Sequence, residues 1–177
     1  MKRTVKVGNV LMGGGSVSVQ SMTTVKTSDA EGCVAQILAL EKAGCDVARV
    51  AVSDEADAYA LKEVVPRVHV PVVADVHFSA RLAVLAVEMG ASKLRINPGN
   101  IGGEREIALV ADCVKAHGVP VRVGANTGSI EKHFLEKYGR SAEALVGSAL
   151  CNAEILERHG VHDIVLSVKA SDVPLTV

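Results

Sequence analysis

One punctuation mark recurs along this sequence: a helical stretch closes on glycine, a few residues follow, and a run rich in β-branched residues begins. Gly44 precedes such a run at 47–52, Gly90 one at 93–97, Gly118 one at 121–124 and Gly160 one at 164–169. Glycine suits the position just past a helix because it takes the left-handed conformation without a Cβ clash. The stretches between are amphipathic and predict helices near 54–65, 79–89, 104–117 and 141–159, after a first helix in which Cys33, Ile37 and Leu40 share a face with Val34 and Leu38 nearby. Ser28 and Glu31 have the spacing of a capping box at its start.

Strands that alternate with helices imply a parallel sheet. With runs at 17–22 and 72–77 added, the sequence predicts six core strands. The opening segment, 4–15, carries a Gly8-Asn9 turn signal and then Gly13-Gly14-Gly15, and reads as a hairpin plugging one end of the fold. No Lys-Ser/Thr pair follows that glycine run, so it reads as a turn rather than a phosphate loop. Six βα units are two short of a closed (β/α)8 barrel. The sequence stops at Val177, just as Ser171-Asp172-Val173-Pro174 opens another helix. The expectation is an α/β fold of the TIM-barrel type, one partial barrel domain over 1–177, forming the N-terminal portion of a longer protein. An open flavodoxin-like sheet is the alternative architecture.

Composition removes several function classes. The 177 residues suffice for one domain with a sizeable core. There is no Trp, with two Phe and two Tyr, too few stacking platforms for a single-stranded nucleic-acid binder. A net charge of -1 argues against a polyanion held by overall charge. Cys33, Cys45, Cys113 and Cys151 stand far apart with no CxxC pair, and read as small buried hydrophobes in a reducing compartment. No apolar stretch reaches the ~20 residues of a membrane span, and Met1-Lys2-Arg3 leads into no apolar segment. These features predict a cytoplasmic protein without membrane or nucleic-acid partners.

The strands carry a second signal. Successive side chains point to opposite faces. One set is apolar: Ala48, Val50, Val52; Ala74, Val76; Leu94, Ile96; Val121, Val123; Ile164, Leu166, Val168. That set should meet the helices. The other holds Arg49 and Ser53; Asp75 and His77; Arg95 and Asn97; Arg122, Gly124 and Asn126; Ser167, Lys169 and Ser171. These would point into the barrel, where Val, Ile and Leu are the norm. Arg49, Arg95, Arg122 and Lys169 set four positive charges against one inward carboxylate, Asp75, and a bound anion would resolve the excess. Two glycine-rich turns, Asn97-Pro98-Gly99-Asn100-Ile101-Gly102-Gly103 and Gly124-Ala125-Asn126-Thr127-Gly128-Ser129, could present backbone N–H groups to phosphate oxygens.

Four segments together resemble the 4-hydroxy-3-methylbut-2-enyl diphosphate synthase family: Val19-Gln20-Ser21-Met22-Thr23, Ala74-Asp75-Val76-His77-Phe78, the run from Lys93-Leu94-Arg95-Ile96-Asn97-Pro98-Gly99-Asn100 to Gly102, and Val165-Leu166-Ser167-Val168-Lys169-Ala170-Ser171-Asp172-Val173. The resemblance implies a barrel that holds 2-C-methyl-D-erythritol 2,4-cyclodiphosphate while it is reductively opened, with ferredoxin or flavodoxin as electron donor, in the non-mevalonate route to isoprenoids. It also implies a homodimer, and a separate C-terminal domain, outside this chain, whose [4Fe-4S] cluster is held by three Cys and a Glu. By resemblance, Arg49, Arg95, Arg122 and Lys169 would clamp the diphosphate with Asn97, Asn126 and Ser167 assisting, while Asp75 and His77 would orient the ring or relay a proton. This chain alone is then expected to lack reductive activity. Two rival expectations are a dihydropteroate-synthase-like transferase barrel and a non-catalytic barrel piece.

Overall fold

A computed structural model of the chain describes residues 4–126, 128 and 130–176. The opening hairpin pairs β1 (Thr4–Val7) with β2 (Val10–Gly13) in antiparallel register, Val7 opposite Val10. Gly8 makes the tight turn possible with its φ of 56°. Six strands then form one parallel sheet in sequential order: β3 (Gln20–Met22), β4 (Val47–Ala51), β5 (Val72–Asp75), β6 (Lys93–Ile96), β7 (Val121–Asn126) and β8 (Ile164–Lys169). Sequential order and parallel pairing are what a winding βα barrel produces. The sheet curls as a part-barrel whose edges are β3 and β8.

The helices lie where the periodicity places them: α1 (Ala30–Lys42), α2 (Glu55–Val64), α3 (Ala80–Glu88), α5 (Glu104–His117) and α7 (Ala142–Arg158). Side-chain caps fix three of the starts, with Asp54, Ser79 and Ser141 accepting from Asp57, Leu82 and Ala144 N–H. Gly44, Gly90, Gly118 and Gly160 all take positive φ, as the pattern predicted. The Ser28–Glu31 capping box does not form. Asp29 is the cap, its carboxylate accepting from Gly32 N–H, while Glu31 is drawn into a two-pronged ion pair with Arg67. Two short helices had no counterpart in the sequence pattern, α4 (Pro98–Ile101) and α6 (Lys132–Tyr138), while α8 (Val173–Thr176) forms where Ser171-Asp172-Val173-Pro174 was expected to open a helix.

The main core lies between the outer face of the sheet and the helices. Ala48, Val50, Ala74, Val76, Leu94, Ile96, Val121 and Val123 are all buried there against residues such as Ile37, Leu61, Ala83, Val110 and Leu156. Each such Val, Leu or Ile contributes about 1.5–3 kcal/mol by leaving water. The expectation fails on β8: Leu166 and Val168 are nearly half exposed, at 47% and 46%. β8 is the edge strand of the described sheet, with α7 packed against it and no further strand beside it.

The hairpin closes the end of the barrel where the strands begin. Met12 Sδ accepts from Lys93 Nζ inside the barrel, and Gly8 sits against Pro71 and Ser92, which lead into β5 and β6. The opposite end, at the strand C-termini, stays open.

Candidate functional site

The open end holds a cavity of about 370 Å³ lined by Met22, Arg49, Asp75, His77, Arg95, Arg122, Gly124, Ala125, Asn126, Ser167 and Lys169. Strand alternation and register build it: Met22 pairs with Arg49 across β3 and β4, Asp75 with Arg95 across β5 and β6, and Arg95 with Arg122 across β6 and β7. Gly124 pairs with Ser167 and Asn126 with Lys169 across β7 and β8. Side chains in register on parallel strands leave the same face, so all of these converge on the interior. Gly124 is part of the design, because a Cβ there would lie 3.4 Å from Arg95 Nη2.

Asp75 is the hub. Its Oδ1 lies 3.0 Å from Arg95 Nη1 and 3.3 Å from His77 Nε2, and its Oδ2 lies 3.6 Å from Arg49 Nε. Arg49 is steadied further by Met22 Sδ, at 3.1 and 3.0 Å from Nε and Nη2. Arg122 donates to Ser167 Oγ at 2.5 Å and has no carboxylate at ion-pair distance among the described residues. Burial, followed by the repulsion of Arg49 and Arg95, lowers the Arg122 pKa from its ordinary value, and the more distant Asp75 offsets only part of this. Asp75 is the one carboxylate among the described lining residues, against Arg49, Arg95, Arg122 and Lys169.

The predicted residues are therefore largely brought together, with some exceptions. Asn97 lines an adjoining hollow that it shares with His77, Arg95, Asn100 and Asn126. Ser53, assigned to the inner face, lies instead beside Val52, Val76 and Phe78, and its backbone N–H donates to Asp57. Ser171 is exposed past the end of β8 and does not line the cavity. The first glycine-rich turn is not an open cradle: it winds into α4, and the Gly103 N–H that opens α5 is taken by Glu106 Oε2 at 3.0 Å. In the second, Asn126 Oδ1 accepts from Gly128 N–H at 2.9 Å, while Thr127 and Ser129 lie outside the described residues. That turn leads to α6 rather than straight to the helix near 141–159.

Two interior residues escaped the sequence reading. Met22 lines the cavity and backs Arg49. Lys93, the first residue of β6, shares the alternation that turned Arg95 inward and is 1% exposed. Its Nζ meets Met12 Sδ at 3.2 Å and Gln20 Oε1 at 3.3 Å, both uncharged. Burial, then Arg122 and Arg49, lower its pKa to about 8.

Cys33 and Cys45 are buried at the two ends of the α1 region, Cys113 lies on α5 and Cys151 on α7. Among the described residues no three Cys, His, Asp or Glu side chains gather as a metal site. Among the described residues, no helix is long and apolar enough to cross a membrane.

Fold and interior together define a TIM-type α/β barrel domain whose open end is lined with cations. Residues 2–177 match the family described as GcpE TIM-barrel domain, and the chain belongs to that family. It is 51% identical over 177 residues to a 4-hydroxy-3-methylbut-2-en-1-yl diphosphate synthase (flavodoxin) from Lysinibacillus sphaericus, an alignment covering 99% of this chain and 48% of that protein. The chain thus spans about half the length of the curated relatives it matches. Among solved structures, a truncated 3-deoxy-D-arabino-heptulosonate 7-phosphate synthase from Thermotoga maritima superposes with a TM-score of 0.67 at 16% identity, covering 96% of this chain and 58% of that one. The Yersinia pestis dihydropteroate synthase gives 0.64 at 12% identity, covering 92% and 61%. At these identities the likeness is one of fold alone.

Proposed function

We propose that this chain is the substrate-binding barrel of a 4-hydroxy-3-methylbut-2-enyl diphosphate synthase, the enzyme that opens 2-C-methyl-D-erythritol 2,4-cyclodiphosphate with loss of water and uptake of two electrons. The observation that carries the reading is the convergence of Arg49, Arg95, Arg122 and Lys169 on one cavity with Asp75 as the single carboxylate among its described lining. Guanidinium forks match phosphate oxygens, and two phosphoryl groups supply the negative charge that the cavity's own residues do not. The roughly 50% identity to named synthases favours this substrate over a pterin, although dihydropteroate synthase shares the fold.

In this reading Arg49, Arg95, Arg122 and Lys169 hold the diphosphate, and Asn97, Asn126 and Ser167 add neutral hydrogen bonds. Ser167 Oγ, already held by Arg122, is placed to serve the same oxygens. Asp75 and His77 face the erythritol ring. With its ring 53% exposed and its Nε2 against Asp75, His77 is positioned to pass a proton between the mouth and that carboxylate. The electrons enter from an iron–sulfur domain outside residues 1–177, fed by flavodoxin as the relatives' names indicate. No step through a cluster is assigned to this chain, and the chain alone is inactive as a reductase. A homodimeric, cytoplasmic assembly belongs to the same proposal.

Calorimetric titration of the cyclodiphosphate into the chain and into Arg95→Ala tests it. The variant is expected to bind about 1.5–3 kcal/mol more weakly, the scale of a charge-assisted bond. Equal affinity would remove Arg95, and with it the clamp, from the site.

A further inference from the structure

Lys93 is the interior group that the proposed reaction leaves unused. It precedes Arg95 by two residues on β6, so both side chains leave the same face, about 6–7 Å apart along the strand. Its Nζ reaches Gln20 on β3, a strand that is not a neighbour of β6 in the sheet, and Met12 on the hairpin. The contact therefore crosses the barrel interior and sets the amine on the floor beneath the cationic mouth.

Every element around that floor is neutral or positive at its level. The hairpin offers Met12 and β3 offers Gln20, both uncharged. Arg49 on β4 is in register with Val73 and so stands level with Lys93, while Arg95 on β6 and Arg122 on β7 stand one layer higher; Arg49 and Arg122 both repel the ammonium. Opposite Lys93, β5 places Val73, with Asp75 one layer higher and already shared by Arg49, Arg95 and His77. The inner face of β8 carries Val165 and Ser167, with Lys169 at its end. No described carboxylate comes within ion-pair distance of Nζ. A methionine would fill this space without burying a charge, so packing alone gives no account of an amine whose two partners, Met12 and Gln20, are uncharged. An anion in the mouth does, because it favours the protonated form.

We infer that Lys93 is the floor of the anion site and becomes more fully protonated when a diphosphate settles among Arg49, Arg95 and Arg122, coupling binding to the uptake of a fraction of a proton from solvent. The inference rests on reading the mouth as a diphosphate site. The lowered pKa, about 8, places the exchange within reach of ordinary buffers. A cyclic diphosphate keeps one strongly acidic oxygen on each phosphorus, so its own charge is constant there and any proton taken up belongs to the protein.

The experiment is calorimetric titration of 2-C-methyl-D-erythritol 2,4-cyclodiphosphate at about pH 8, in buffers of different ionisation enthalpy, with affinities at about pH 7 and about pH 9. The binding enthalpy should depend on the buffer in the sense of proton uptake. If occupancy raises the Lys93 pKa by about one unit, affinity should be about fivefold weaker at the higher pH. In Lys93→Met, buffer dependence should vanish and affinity should be weaker and flat with pH. Tight binding by the unaltered chain with no proton uptake overturns the role of Lys93 and leaves the diphosphate reading standing. Uptake that persists in Lys93→Met assigns the proton to another group and overturns it equally. No binding at any pH removes the diphosphate reading itself.

Discussion

Asp75 carries two duties that pull against each other. It compensates Arg49 and Arg95 within the cavity, and it repels any anion that enters. Asp75→Asn should therefore lower stability by about 2–4 kcal/mol, the scale of stranding partly buried charges. Saturating inorganic pyrophosphate should recover much of that loss. Urea unfolding with and without pyrophosphate checks this, and a loss that pyrophosphate leaves untouched would mean Asp75 acts as packing alone. Lys93→Met should instead stabilise the anion-free chain at neutral pH by about 1–3 kcal/mol. The unfolded lysine titrates near 10.5 and the folded one near 8, so between those values the unfolded chain holds the extra proton. Stability of the unaltered chain thus rises with pH across that window, and the variant's advantage should shrink there. A gap between the two unfolding curves that stays constant from about pH 7 to about pH 10 would contradict the lowered pKa. Arg49, Asp75, Arg95 and Arg122 were legible because alternation alone puts them inside. Lys93 obeys the same alternation, but the sequence had no means of showing that its amine crosses the barrel to Gln20 and Met12.

Elements were legible where a local pattern determines them. The positive-φ glycines at 44, 90, 118 and 160 and the long helices follow from capping and periodicity. The start of α1 was misread by one residue because its cap depends on partners distant in sequence. Glu31 is drawn away by Arg67, in the 3-10 turn that follows α2, and Ser28 spends its N–H on Asp57. Asp57 is the better guide to how the mouth is held. It lies in the first turn of α2 at 2% exposure, accepts from Ser28 N–H at 2.9 Å through Oδ1 and from Ser53 N–H at 3.1 Å through Oδ2. It thereby ties the turn after β3 to the turn after β4, the strand that carries Arg49. Asp57→Ala leaves two backbone donors without their charged acceptor and should cost about 2–4 kcal/mol. Thermal unfolding measures that loss, and a shift within experimental scatter would show that water replaces the carboxylate. Nothing in the local sequence distinguishes Asp57 from an ordinary solvated residue of an acidic first turn.

At the scale of the whole molecule, curvature makes the site: a flat sheet would spread β4 through β8 in a row, whereas the curl turns their inner faces on one another. The same curl leaves β3 and β8 as unpaired edges of the described sheet. Leu166 and Val168 lie nearly half exposed on the outer face of β8. An edge with unmet N–H and C=O groups beside apolar side chains is a template for pairing with another chain. Residues 1–177 in isolation should therefore show a mass by light scattering that rises with concentration. Charge on the edge opposes such pairing because each added chain would bury it, so Leu166→Lys with Val168→Lys should return the mass toward that of a monomer. Both substitutions face away from the cavity, and cyclodiphosphate affinity should be unchanged. If the double variant still associates, the contact lies elsewhere, and the β3 edge beside the exposed Val17 and Val19 becomes the surface to alter next. If the unaltered chain is monomeric at every concentration, the curl itself protects its edges, as strong twist does in other open sheets.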